Sequence, residues 1–500
     1  MMRMFNRLTE AELQSCADDP GKDKAFRRLL FGLTFFHSVI LERRKFQYLG
    51  WNVSYDFNDA DFDICKNLLD LYINTYEEIP WESLRYLTSE ANYGGRVTDD
   101  WDRRLLNVYM NEIYCSETIT EDAYSLAEGV DDYIIPGQGS LQFYLEHISS
   151  LPSVDEPDVF GQHPNADISS LVQESSQLLA TLLSIQPQTS KKETKTKKKK
   201  EETGGVKSPQ PAAVEDDAST SSLKFCEELR QRIPPLVSHL PGDARTLDMT
   251  DEMAPLLTVL LQEAARYNNL LELIVNDLQQ LEKGLKGQVV MSVNLEKLLI
   301  ALNANKIPHS WSDTYPSSKP LASWVIDLTE RIKQIQQWAI SGAPKVFWLG
   351  GLTFPTALLT GLLQQSSRAI GCSVDSLIWS FEISRCLDER DLTTMPPVGE
   401  GAYMGGIFLE GCIWDMDKEF LDEAHLMELV SPMPIVHFKP IQMRRKEKRS
   451  SYSCPVYYYP NRYGSMHRQS YIITMDLKSG DKSPAHWTKR GVAALLNLGT

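Results

Sequence analysis

The chain has 500 residues, of which 42% are hydrophobic and 24% charged, with a net charge of −16 at pH 7. This is a soluble composition sufficient for about two to four domains, and its acidic balance opposes general binding to nucleic acid, whose phosphates carry the same sign. Its eight cysteines are scattered without a CxxC pair, which excludes a zinc ribbon or a thioredoxin-type redox pair; with no secretory signal, reduced thiols in a cytosolic compartment are expected.

The first block, to about residue 150, is helical in pattern. Phe26, Leu29, Leu30, Leu33, Phe36 and His37 recur at helical spacing, with Asp23 placed to cap the start. Leu68, Leu69, Leu71 and Tyr72, then Leu84 and Leu87, then Leu105, Leu106, Val108 and Tyr109 predict further helices. Between them, Asn92-Tyr93-Gly94-Gly95 reads as a turn whose glycines allow positive φ and close backbone approach. Asp99, Asp100 and Asp102 stand at the mouth of the next helix. They could be metal ligands, but no further ligand follows at metal spacing, so a helix cap partnered by Arg103 or Arg104 is the favoured reading.

A helix is predicted from Ile168 through Leu183, ending before Pro187. Residues 187–220 then change character, with seven lysines inside Lys191–Lys200 followed by Glu, Gly, Ser, Pro and Asp. Nothing there can bury a core, so a disordered insertion is expected. From Leu223 the helical period returns, with one long amphipathic helix through Leu256–Leu281, another through Leu295–Leu302 and a third through Leu321–Ile340.

Val346–Leu363 holds no charged residue over 18 positions, the lower limit for crossing a bilayer. Its Gly350-Gly351 pair followed by Pro355 reads better as a strand, a turn and a short helix inside a domain. Beyond residue 400 the period becomes two. Ile407–Leu409, Ile435–Phe438, Val456–Tyr459 and Tyr471–Met475 predict short strands of an antiparallel barrel or sandwich.

Templates for catalysis fail. The one Gly-Lys dipeptide, Gly21-Lys22, has Cys16 where a phosphate loop needs its first glycine. No HExxH occurs (His425-Leu426-Met427-Glu428 lacks the second histidine) and no GxSxG elbow is present. His37 and His437 read as core histidines, and Trp348 with Tyr457–Tyr459 as core aromatics rather than a stacking platform for bases. No catalytic, cofactor-binding or metal-ligating residue is therefore assigned. The lysine run has clear binding potential, for an anionic partner such as nucleic acid or acidic protein tails, but a solvated, variable loop that keeps a long insertion soluble is the favoured reading. If all its lysines met phosphates, affinity would fall with salt at a log–log slope of roughly −6.

Several strings carry a resemblance. Phe31–His37, Glu42–Phe46, Leu49-Gly50-Trp51-Asn52, Glu77–Trp81 and Asn92–Arg104 together resemble the lid of the last ring module of axonemal dynein heavy chains. Val159-Phe160-Gly161, His163–Asp167, Val289–Ser292, Pro320–Trp324, Val346–Gly350, Gly406–Gly411, Trp414-Asp415, Pro432–His437, Cys454–Arg462 and His486–Gly491 are similar to landmarks of the dynein C-terminal domain. The Cys454–Arg462 string looks most like the inner-arm heavy chain two subtype. Two departures stand out: Gln47-Tyr48 in place of the Gly-Pro usual before Leu-Gly-Trp, and the long lysine-rich insertion.

The resemblance implies an α+β organisation with a helical AAA lid over residues 1–150, a connecting helix over 151–186, the insertion over 187–220, a helical bundle over 221–343 and a β-rich cap over 344–500. It further implies the C-terminal part of a ciliary motor, giving ring closure and mechanical coupling while ATP and magnesium act in modules upstream. Arg43 and Arg44 resemble positions with which small ATPase subdomains sense phosphate, although the family's last module is non-catalytic, which favours structural pairing. The implied partners are the other ring modules, with intermediate and light chains and microtubules reached through the parent complex. No membrane or nucleic acid is expected, and the implied location is the cytoplasm, cytoskeleton and axoneme. The alternative is a freestanding adaptor or scaffold that binds an anionic partner through Lys191–Lys200.

Overall fold

The computed structural model describes residues 1–16, 18–185, 214–240, 253–313, 315, 317, 319–387, 400–442, 450–459, 462 and 470–498. The Lys191–Lys200 run lies outside the described residues. The chain divides into two compact units. One comprises Met1–Glu174, Ile378–Pro397 and Tyr403–Leu498, and the other Ser175–Leu377 with Val398–Ala402 and Gly499–Thr500.

Helices Pro20–Glu42, Asp59–Thr75, Asp100–Ile113 and Leu141–Ser150 build the helical part of the first unit. The apolar period of the first helix is read correctly, since Phe26, Leu29, Leu30, Leu33 and Phe36 are all buried. Its cap is not Asp23. Asp19 accepts from the amides of Gly21 and Lys22, with Pro20 in the first turn, and Asp23 instead pairs with Arg27 one turn on. The Asn92–Gly95 stretch is not a simple turn but the end of a π-helical segment over Tyr86–Asn92 followed by a 3₁₀ turn over Gly94–Arg96, and neither Gly94 nor Gly95 takes the positive φ expected of it. Gly94 is there for close approach, because a Cβ would fall 2.4 Å from the Ser89 carbonyl oxygen.

The strands in order along the sequence are β1 (Val346–Trp348), β2 (Leu377–Ile383), β3 (Ala402–Gly405), β4 (Phe408–Glu410), β5 (Ile413–Asp415), β6 (Phe420–Asp422), β7 (Val430–Pro432), β8 (Val436–Gln442), β9 (Ser451–Tyr457), β10 (Tyr471–Lys478) and β11 (Ala493–Leu495). In the first unit, β8 lies between β3 and β2, and β5 pairs with β6 as a small hairpin with Trp414 opposite Leu421. The largest sheet runs β10-β9-β11-β4-β7. Its strand β11 is antiparallel to β4, with Ala494 opposite Leu409, but parallel to β9, with Ala494 opposite Val456. A parallel pair needs a crossover, here β10 and the helix Pro484–Arg490 that follows it.

The fold is therefore α+β, as expected, but its large sheet is mixed rather than antiparallel. No closed barrel is formed among the described residues. Strand β2 escaped the sequence reading. Its Trp379 and Phe381 pack edge-on against Phe438 of β8 and are only half-buried, which blunts the alternation.

The second unit is built on the helix Ala254–Leu285, with Val214–Arg232, Val293–Asn303, Leu321–Ser341 and Pro355–Ile370. Leu256, Leu260, Ala264, Tyr267, Leu271, Ile274, Leu278 and Leu281 are buried along the long helix at the expected spacing. The uncharged stretch resolves into β1, a 3₁₀ turn at Leu349–Gly351 and the helix beginning at Pro355. No helix among the described residues is long and apolar enough to cross a membrane.

Candidate functional site

The first unit converges on one buried side chain. The Arg43–Phe46 3₁₀ turn and the short helical turn Gln47–Gly50 fold the backbone back so that the Arg43 guanidinium lies beneath its own loop, with no exposed surface. All five of its N–H groups are engaged. Nε donates to the Gly50 carbonyl at 3.2 Å. Nη1 donates to the Tyr109 hydroxyl at 2.8 Å and the Phe160 carbonyl at 2.6 Å. Nη2 donates to the carbonyls of Leu49 and Lys489, both at 3.1 Å. Burial lowers the Arg43 pKa, yet a guanidinium starts high enough to keep its charge.

Gln162 repeats this bridge, its amide nitrogen donating to the Leu49 and Lys489 carbonyls at 2.8 Å each. The backbones can approach only because two residues lack a Cβ. One on Gly50 would lie 1.9 Å from the Arg43 carbonyl oxygen, and one on Gly491 2.3 Å from that of Leu49. The Pro484–Arg490 helix is then fixed by charge. Lys489 Nζ meets Glu112 at 2.9 Å, Arg490 meets Asp158 at 3.0 Å and Glu423 at 3.3 Å, and His486 Nε2 meets Glu423 at 2.5 Å. Burial pushes the Glu423 carboxyl up, but His486 and Arg490 outweigh it and hold it at about 2.

A second knot lies at the start of the Asp100–Ile113 helix. Asp99 caps it, accepting from the amides of Trp101 and Asp102, and exposed Asp100 pairs with Arg103. Asp102 is buried and accepts from the amides of Asn52 at 2.9 Å and Val53 at 3.1 Å, and from the Tyr55 hydroxyl at 2.8 Å. Burial, with Asp99 nearby, pushes its carboxyl up to about 7 despite those bonds. The Asn52 amide nitrogen donates to Asp99 and to the Tyr457 hydroxyl on β9, and its oxygen accepts from Arg462, which pairs with Glu410 on β4. Arg104 lies over the rings of Trp101 and Tyr452 and donates to the Ser453 carbonyl.

These contacts tie the lid helices to the Pro484–Arg490 helix and to strands β4 and β9. Arg43, the candidate phosphate sensor, has no N–H left for a phosphate, and Arg44 is exposed beside Asp56. The cavity bounded by Arg43, Gly50, Asp102, Tyr452, Arg462 and Gly491 holds only about 30 Å³, roughly the room of one water. A larger cavity of about 370 Å³ is lined by the carboxylates of Glu42 and Asp155, with Arg3 as its one guanidinium, a poor field for a triphosphate.

The Asp99, Asp100 and Asp102 cluster reads as capping and docking, and no group of three metal-ligating side chains occurs among the described residues. His37 is buried, with Nδ1 on the Tyr93 hydroxyl at 2.9 Å and burial pushing its pKa down to about 4. His437 is not a sealed core residue: it stands 3.5 Å from Glu382 and against the Tyr403 ring. Tyr457 and Tyr458 are buried and Tyr459 half-buried, and in the second unit Trp348 receives the Arg331 guanidinium at 5.1 Å.

Residue-type reasoning missed Gln162, Asn52, Arg462, His486 and Glu423 as members of these knots. No spacing rule marks them. Yet the strings that carried the family resemblance end here: Leu49–Asn52, Asn92–Arg104, Val159–Gly161, Gly406–Gly411, Cys454–Arg462 and His486–Gly491 all contribute residues to this seam or its immediate walls.

Residues 26–166 match the family model of the dynein heavy chain AAA lid domain, and residues 172–496 match the model of the C-terminal domain of the dynein heavy chain. The chain is 44% identical over 500 residues to dynein axonemal heavy chain 2 of Mus musculus, covering 100% of this chain and 10% of that relative. Against the Homo sapiens protein of the same name the identity is 43% over 499 residues, covering 100% and 11%. Against the dynein-1-beta heavy chain of the flagellar inner arm I1 complex of Chlamydomonas reinhardtii it is 40% over 501 residues, covering 100% and 10%. The chain thus spans about a tenth of the length of these relatives. With a family model matched over most of its length, and a seam assembled from both matched regions, the chain belongs to the dynein heavy chain family.

Proposed function

We propose that this chain is the C-terminal part of an axonemal dynein heavy chain, and that it closes the motor ring and passes movement mechanically rather than hydrolysing nucleotide. The single observation carrying the reading is the saturated Arg43: a guanidinium whose five donors all bind protein groups ties the lid to a helix near residue 489 and leaves nothing for phosphate. Packed elements of this kind shift as bodies, which is how ring movements elsewhere would reach the cap.

In this reading ATP and magnesium act in other modules of a parent motor that moves toward microtubule minus ends in cilia and flagella. The lid takes residues 1–150, and the helical bundle and β-rich cap form the C-terminal domain. Its direct partners are the other ring modules, with intermediate chains, light chains and microtubules engaged through the whole complex. The names of the relatives support the axonemal assignment.

The test is a full-length motor with the substitution Arg43→Ala. Microtubule gliding should slow while ATP hydrolysis continues, because the damage is to transmission. Unchanged gliding would sink the proposal, as would calorimetric binding of ATP to the 500-residue chain alone.

A further inference from the structure

Gln47 has φ 51° and ψ −121°, the backbone of the first central residue of a type II′ turn, where a Cβ is strained and glycine is at ease. Such a residue persists only when its surroundings over-determine the turn, and around Gln47 they do. On the near side, the Lys45 carbonyl accepts from Ser170 Oγ at 2.5 Å, and the Lys45 ammonium lies 4.7 Å from the ring centres of both Phe46 and Phe160. On the far side, Arg43 holds the carbonyls of Leu49 and Gly50, Gln162 holds Leu49 again, and the Trp51 indole donates to the Ile40 carbonyl. Arg43 and Gln162 are also the groups that grip the Lys489 carbonyl. The side chains that keep Gln47 strained, Arg43 and Gln162, are thus also the side chains that grip the end of the Pro484–Arg490 helix.

We propose that Arg43–Trp51 is a strap with two positions. The taut position is the one described. In the slack position Gln47 returns to ordinary backbone angles, the Leu49 and Gly50 carbonyls leave Arg43, and the Pro484–Arg490 helix loses its hold on the lid. Strain in the taut form makes this junction easier to open than its burial alone dictates. The strap deepens the coupling reading and rests on it for its use, but opening belongs to this chain and its test needs neither nucleotide nor microtubule.

The experiment is hydrogen–deuterium exchange, read by mass spectrometry, on the 500-residue chain as wild type, Gln47→Gly and Gln47→Ala. Glycine removes the Cβ penalty, so exchange at residues 47–51 and 489–492 should slow together by about tenfold. Alanine keeps a Cβ and should match wild type. Equal exchange in the two variants, faster exchange in Gln47→Gly, or slowing confined to 47–51 would each overturn the strap. None of these outcomes bears on the gliding of an Arg43→Ala motor, so the two proposals fail separately.

Discussion

Arg43 and Lys489 stand 446 positions apart, yet the guanidinium of one donates to the backbone carbonyl of the other at 3.1 Å inside a buried seam. Because the acceptor is a peptide oxygen, the bond constrains where the backbone runs and is indifferent to the lysine side chain, which is engaged separately with Glu112.

Arg43→Ala removes five donors at once and leaves the Gly50 carbonyl unsatisfied, while Gln162 still donates to the Leu49 and Lys489 carbonyls and the Tyr109 hydroxyl to that of Phe160. Each unsatisfied buried acceptor costs about 1–3 kcal/mol. The space vacated by a fully buried side chain adds to that, so a net loss of about 2–4 kcal/mol is expected from urea unfolding of the first unit. Arg43→Lys should recover less than half, because an ammonium has fewer donors and no planar fork. A loss below about 1 kcal/mol for the alanine variant would mean that the seam is held elsewhere.

Gly491 and Gly371 share a left-handed backbone, φ 70° and 73°, and differ in their surroundings. A Cβ on Gly371 meets nothing within 4 Å, whereas one on Gly491 meets the Leu49 carbonyl oxygen at 2.3 Å. Gly371→Ala should therefore cost only the left-handed penalty of about 1–2 kcal/mol. Gly491→Ala adds a clash with rigid backbone and should cost about 3 kcal/mol or more, read from urea midpoints. Equal losses would mean that the docked helix can slide away freely.

How much of this was legible follows the nature of each signal. Local periodicity placed the helices containing Leu29–Phe36, Leu256–Leu281 and Leu321–Ile340 because burial on one face repeats every three to four residues. It failed at β2, where Trp379 and Phe381 are only half-buried, and at β11, three buried residues with no alternation to read. It found the helix Asn165–Ile185 but not that Leu171, Leu178, Leu179 and Leu182 on it stay exposed, since what covers a stripe is not a local property. The seam was hidden for the same reason. Arg43, Gln162 and Asp102 act through backbone carbonyls and amides far away in sequence, and such partners have no residue code.

Asp102 gives a pH dependence with a definite sign. Its folded pKa of about 7 lies above the ordinary carboxylate value of 3.8, so the folded state holds this proton where the unfolded state has lost it. Between those two values the unfolded state binds fewer protons, and the contribution of this group to stability falls as pH rises, by up to about 1.4 kcal/mol per pH unit. Asp102→Asn carries a fixed cost for misplacing an amide N–H₂ opposite the Val53 amide and Tyr55 hydroxyl, but cannot titrate. The stability of wild type relative to the variant should therefore fall steadily from pH 4 to pH 7 in urea unfolding. A difference that stays level would show that the three hydrogen bonds keep Asp102 ionised throughout.

In the second unit, Glu263 does for one helix what Asp19 does for another, but from a distance. It sits fully buried in the first third of Ala254–Leu285 and accepts from the Thr353 amide at 2.7 Å, the Thr353 hydroxyl at 2.8 Å and the Phe354 amide at 3.0 Å. Those amides stand at the mouth of Pro355–Ile370, whose first residue, Pro355, has no N–H to offer. Arg266, 2.8 Å away and stacked on Phe354, balances the charge. A carboxylate is thus the cap for a helix beginning 92 residues later (355 − 263), and both its charge and its acceptor geometry matter. Glu263→Gln keeps the shape but turns an N–H₂ toward donors, and should cost about 1–3 kcal/mol. The loss should appear first as faster amide exchange in the opening turn of Pro355–Ile370, because fraying starts where the cap is lost. Unaltered exchange there would assign the anchoring of this helix to the burial of Leu358, Leu359 and Leu362 instead.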